Sequence, residues 1–232
     1  MEHSPASGHG TDEPGNQPGN ELSANAALRE VLLDAGLFRR GVDERALTAL
    51  LVAALQETEH PGRAALTFAL GLPEHLVFVP APRDAADVAG LDDEEVVALV
   101  EVATATSRFV FVRPRGEEKV VAEARGWDSI DQLTRYRLAQ PSVPGDLRVL
   151  LLPAERAAKI RRLREAGSPE AAAAAGFGAA EWDTTPVEEI GNWRPVTWES
   201  LAEALDDAVP AAEVQLAGRT RAVLGALLVT GG

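Results

Sequence analysis

Residues 147 to 153 read LRVLLLP, a nearly continuous apolar run. A strand with one wet face alternates apolar and polar residues, whereas a run like this suits a strand buried on both faces. Parallel neighbours of such a strand need a crossover connection. The preceding segment supplies one: SIDQLTRYRLAQ reads as a helix ended near Pro141, and KVVAEAR (119 to 125) before it reads as a strand. Strand, helix and strand in that order predict that 147–153 runs parallel to 119–125. RFVFVRP (108 to 114) reads as a further strand, and the Gly-containing RGEE after it predicts an antiparallel hairpin with 119–125. The expected fold class is therefore α/β with a mixed sheet.

Helical periodicity accounts for most of the remainder. NELSANAALREVLLDAGLF puts Leu28, Val31 and Leu32 on one stripe, and DERALTALLVAAL follows with Asp43 as its cap. GRAALTFALGL, ERAAKIRRLREAG, SPEAAAAAGF and WESLAEALDDAV read as helices as well. In LDDEEVVALVEVATA, Asp92 stands three residues before Glu95, a capping-box spacing that predicts a helix. LVFVPAP (76 to 82) fits a strand or an extended link, and RDAADVAG a connection. EWDTTPVEEI and NWRPVTW read as irregular or strand-like. The last twenty residues read as a closing helix.

The 232 residues suit one domain. Residues 1 to 20 are rich in Gly, Pro, Ser and Asn and predict a disordered tail, leaving 21–232 as a single α/β domain. No cysteine occurs, which suits a reducing cytoplasm, and neither a signal peptide nor a membrane-length apolar run is present. The formal net charge of −14 repels phosphate at long range. That balance points to a protein partner ahead of nucleic acid, with Arg161, Arg162 and Arg164 as the local patch through which DNA could bind.

One constellation carries chemistry. In order come an early helix with Glu44, the segment RFVFVRPRGEEKVVAEAR, a helix with Gln132 and Tyr136, the apolar strand LRVLLLP, and NWRPVTWESLAEAL. Over roughly residues 40–207 this order resembles the PD-(D/E)XK nuclease superfamily, in particular its defence-type members with an EAK strand before a QLxxY helix. The resemblance implies a restriction-endonuclease-like core, a mixed sheet with helices on both sides. It also implies a hairpin with Asp on its first strand and Glu-x-Lys on its second, completed by an early-helix Glu and a Gln on the next helix. Two carboxylates would hold Mg²⁺, which prefers oxygen ligands and keeps several waters.

Residue by residue, Glu123 falls on the motif Glu, Arg125 on the lysine, Gln132 and Tyr136 on the helix positions, and Glu44 on the early acid. The Asp position reads Val110, Phe111, Val112, with no carboxylate from Arg108 to Arg115. Glu117, Glu118, Asp128 and Glu101 are the acids that could replace it. Glu117 and Glu118 would lie several residues from Glu123 along the strand, so Asp128 is taken as the second metal ligand beside Glu123. An exposed Glu123–Arg125 ion pair, contributing about 0–1 kcal/mol, is the competing structural role. With its Asp missing and its Lys exchanged, the motif implies a catalytically degenerate homologue acting as a binding or regulatory module. The alternatives are an active Mg²⁺-dependent DNA nuclease with a migrated acid, in bacterial defence against foreign DNA, and an unrelated α/β interaction domain. Trp193 and Trp198 are expected to pack against the sheet.

Overall fold

A computed structural model describes residues 23–33, 43–81, 86–104, 107–126, 128–183 and 185–209. The expected tail and the closing helix lie outside the described residues. The described residues open with helices α1 (Ala24–Leu33) and α2 (Glu44–Gln56), the second capped by the Asp43 carboxylate on the Arg45 backbone N–H. Helix α3 (Pro61–Leu70) starts with proline at its first position, where the missing N–H costs nothing.

A three-stranded antiparallel meander follows: β1 (Val77–Pro80), β2 (Val88–Asp92) and β3 (Glu95–Val102). The helix expected over LDDEEVVALVEVATA is thus strand β3, and the connection expected at RDAADVAG leads into strand β2. Asp92 ends β2 and caps nothing. The turn between the two strands is Asp93–Glu94, both with positive φ (45° and 69°), as two-residue hairpin turns require. The β-branched residues Val96, Val97, Val100 and Val102 pack on a pleated surface, and that tertiary gain outweighs the capping spacing.

The segment after β3 differs most from expectation. Only Phe111–Val112 of the 108–114 run is extended (β4), and it pairs with β5 (Ile130–Asp131) as a separate two-stranded ribbon. KVVAEAR belongs to helix α4 (Glu117–Arg125), closed by Gly126 in the left-handed region at φ 70°. The expected 108–125 hairpin therefore does not form. Helix α5 (Gln132–Ala139) forms as expected, capped by Asp131, which accepts from Thr134 N at 3.0 Å and Thr134 Oγ1 at 2.7 Å.

LRVLLLP yields β6 (Arg148–Leu152), with all five residues buried. Its expected parallel partner, 119–125, is helix α4, and β6 runs parallel instead to β3 on one side and β7 (Arg194–Thr197) on the other. The sheet order is β1-β2-β3-β6-β7, with β2 antiparallel to its neighbours. Between β6 and β7 lie α6 (Ala154–Ala166), α7 (Pro169–Ala174), α8 (Ala179–Asp183) and α9 (Val187–Ile190); α10 (Trp198–Ala208) ends the described fold.

Period-2 alternation divides β3 and β6 between two cores. Ala98, Val100, Val102, Val149 and Leu151 face the layer of α1, α2, α3 and α10. Leu99, Ala103, Leu150 and Leu152 face the layer that includes Leu133 of α5, Ile160 of α6 and Ile190 of α9. The result is a five-stranded mixed sheet covered by helices on both faces. Trp198 sits in the first core and Trp193 in the second, as expected, and Trp198 Nε1 donates to the Ala103 carbonyl at 3.0 Å. A buried bond of that kind contributes about 1 kcal/mol and fixes the chain just past β3. Among the described residues no helix is long and apolar enough to cross a membrane.

Candidate functional site

The carboxyl ends of β3 and β6 and the entry to β2 lie at one end of the sheet, because β2 runs against β3. Open α/β sheets bind ligands at the carboxyl ends of their parallel strands. Here that end carries acids. Asp87 precedes β2, and Glu101 stands one residue before the end of β3. The Asp87 carboxylate accepts the Val102 backbone N–H at 2.8 Å, which ties the acid to the neighbouring strand.

Glu101 shares its face of the sheet with Leu99 and Ala103 and is only 4% exposed. Its Oε1 accepts from Gln132 Nε2. Gln132 is held in turn: its Oε1 accepts from Val110 N at 3.1 Å, and its backbone N–H donates to the Val110 carbonyl at 3.0 Å. Glu101 Oε2 is buried and has no donor among the described residues. The group beside it is another carboxylate, that of Asp87. Two carboxylates cannot bond to each other without a proton or a cation between them.

Glu44, the first residue of α2, completes the cluster and accepts the Ser107 hydroxyl proton. Burial, then the charges of Asp87 and Glu44, hold the Glu101 carboxyl well above the usual carboxylate range. Burial also raises Asp87, with Glu44 adding to the effect. Arg156 of α6 lies in the field of Glu44 and Glu101, and burial lowers its own pKa.

The structure brings Glu44 and Gln132 to the same carboxyl group, that of Glu101. It does not bring Glu123, Arg125 and Asp128 to them. Glu123 is exposed on α4 and forms an i,i+4 pair with Lys119 at 3.5 Å. Arg125, at the end of the same helix, lines a separate pocket with Asp131 and Arg137. Asp128 is exposed in the bend that follows α4. Tyr136 meets Trp193 edge-on at 6.5 Å. The acids that do converge with Glu44 and Gln132 are Glu101, which the sequence offered only as one substitute, and Asp87, which it passed over. The available signal for both was the pattern DVAGLDDEEVVALVEVA, two Val-containing runs around a polar turn.

The donor set consists of carboxylate oxygens, the ligand type that a hard divalent cation takes. Among the described residues no three His, Asp or Glu side chains enclose a metal position by themselves. Mg²⁺ does not require that, since it is held by one or two carboxylates with water and substrate phosphate completing its shell. Glu101 Oε2, with no donor among the described residues, stands beside Asp87, where a shared proton or a cation would join the two carboxyl groups. No family model, curated protein or solved structure matches the chain.

Proposed function

We propose that this is a PD-(D/E)XK nuclease-like protein with a restriction-endonuclease-like core, whose Asp87–Glu101 pair holds Mg²⁺ for phosphodiester hydrolysis. The carrying observation is that juxtaposition of two carboxylates, Asp87 at the entry to β2 and Glu101 on the neighbouring antiparallel strand β3, with Gln132 bonded to one and Glu44 coupled to both. The hairpin that the resemblance requires, Asp on the first strand and Glu on the second, is β2–β3 in this reading. The sheet order and the single antiparallel strand β2 support the same core type.

In this reading Asp87 and Glu101 bind the metal, and Gln132 fixes the Glu101 carboxylate by bonding its Oε1. Bound there, Mg²⁺ would polarise a phosphoryl oxygen and lower the pKa of a coordinated water. Glu44, oriented by the Ser107 hydroxyl, is the remaining acid positioned to take a proton at its carboxylate.

A second reading is a degenerate homologue that binds without cleaving. Ala103 favours it, because the resemblance places a lysine two residues after the strand Glu and Ala103 has no charge to offer. Titration calorimetry with Mg²⁺ and Mn²⁺ tests the shared metal site. Binding in wild type and Glu123→Ala that is lost in Glu101→Gln and Asp87→Asn is expected; wild type that binds neither ion ends both metal readings. Mg²⁺-dependent nicking of supercoiled plasmid by wild type then separates the active enzyme from the binding module.

A further inference from the structure

Beside the acid cluster lies a groove of about 690 Å³, with Ser107, Arg108, Phe109, Arg156 and Lys159 in its wall. Two of these residues belong to the cluster as well. Ser107 donates to Glu44, and Arg156 has Glu44 and Glu101 as its opposing charges. The groove and the acids are therefore continuous.

Arg156 is held in place from two sides. Its Nη1 donates to the Thr104 carbonyl at 2.8 Å, and its guanidinium carbon lies 4.8 Å from the centre of the Phe109 ring. A guanidinium has five N–H donors in a planar fork that matches phosphate oxygens. A head group fixed by stacking and one carbonyl bond keeps further donors for the groove that it lines. Thr104 follows Glu101 by three residues, so the same bond couples the guanidinium to the acid-bearing strand end.

The chain as a whole carries −14, so a polyanion reaches these acids only where local positive charge offsets that field. The other described cations of the groove wall and of α6 are differently placed. Lys159 is paired with Glu181. Arg161, Arg162 and Arg164 are exposed positions of α6, and Arg162 stacks over Phe177 at 5.4 Å. Arg108 is exposed on the groove wall.

We propose that Arg156 is the phosphate contact of this site: it receives a backbone phosphate of a single DNA strand lying in the groove and sets it beside the Asp87–Glu101 pair. The assignment rests on the nuclease-like reading above and adds the residue that admits the substrate. It also has two effects of opposite sign. The guanidinium attracts phosphate and repels a metal cation at the neighbouring acids.

The experiment uses the full chain, a fluorescein-labelled 12-nucleotide single-stranded DNA, anisotropy in Ca²⁺ across a salt series, and Mn²⁺ calorimetry. Arg156→Gln is expected to weaken DNA binding about tenfold or more. It should flatten the log–log salt slope by about 0.7, the value for one lost single-strand phosphate contact. Mn²⁺ affinity should stay the same or rise. Wild-type DNA affinity and slope in Arg156→Gln overturn the proposal, as does a larger loss in Arg161→Gln, which would move the contact to the outer face of α6. Loss of both DNA and Mn²⁺ binding also overturns it, since Arg156 would then only support the acids. If wild type binds no Mn²⁺ while DNA binding still depends on Arg156, the metal reading fails and the phosphate contact stands. Should Arg156→Gln not fold, the exposed Arg108→Gln decides: a weakened DNA complex upholds the groove, and an unchanged one rejects it.

Discussion

Glu101 places an ionisable carboxyl among Leu99, Ala103 and two other acids, and its pKa is raised well above the usual range by burial first and by its neighbours second. Below its unfolded value, near 4.5, the group is neutral in both states and costs the fold nothing. As pH rises through the higher folded value, the folded chain must ionise a buried group that the unfolded chain ionises freely, so stability falls. Glu101→Gln removes that cost and keeps an oxygen to accept from Gln132. In metal-free buffer at pH 7 to 8 it is expected to stabilise the fold by on the order of 1–2 kcal/mol. A domain of this size gains about 2–4 °C in Tm per kcal/mol. The gain should shrink to nothing near pH 4. Thermal melts of both proteins across that range check it, and a variant less stable than wild type at pH 8 contradicts it. The same residue shows why the site was only half legible in the sequence. Glu44 and Gln132 each open a helix behind a capping Asp, a strong local signal, whereas Glu101 and Asp87 become neighbours only once two strands pair.

At the scale of elements, β2 and β3 were hidden by their turn. Asp93 and Glu94 both adopt positive φ without a glycine, so the pattern lacked the Asn-Gly or Asp-Gly that marks a hairpin, and Asp92 with Glu95 imitated a helix start. A non-glycine residue in that region costs about 1–2 kcal/mol, and glycine returns about 0.5–1 kcal/mol of that as chain entropy. Glu94→Gly is therefore expected to stabilise the protein by up to about 1 kcal/mol, read from urea midpoints at unchanged m-value; a lowered midpoint refutes the turn assignment. The opposite confusion occurred in 117–125. Val120 and Val121 favour a strand, yet Val120 is 68% exposed, while Ala122 is fully buried. A strand of the main sheet would bury more, and the Lys119–Glu123 pair with the left-handed Gly126 cap favours the helix. The run at 147–153 is legible because burial on both faces leaves little choice of structure, but its partners are not, since β3 carries the spacing of a helix start.

For the molecule as a whole, 36 acids against 22 bases make self-repulsion a standing cost of compactness. The Debye length falls from about 30 Å at 0.01 M salt to about 8 Å at 0.15 M, so moderate salt screens most of this repulsion. Tm is expected to rise by several degrees between 10 and 150 mM NaCl, and a flat or falling Tm would show that paired charges outweigh the net charge. The position of β3 carries a further consequence, for the order in which the chain folds. On one side it joins β1 and β2 through a two-residue turn; on the other it meets β6 only after the long connection from residue 103 to 147. Local pairings form early, and pairings across long loops form late. Asp87 and Glu101 thus meet in the early half, while Gln132 and Arg156 arrive with the late one. Until they do, the growing chain holds two facing carboxylates with neither amide nor guanidinium beside them. Acidity or a divalent ion present during refolding should therefore speed the first phase and leave the last one unchanged.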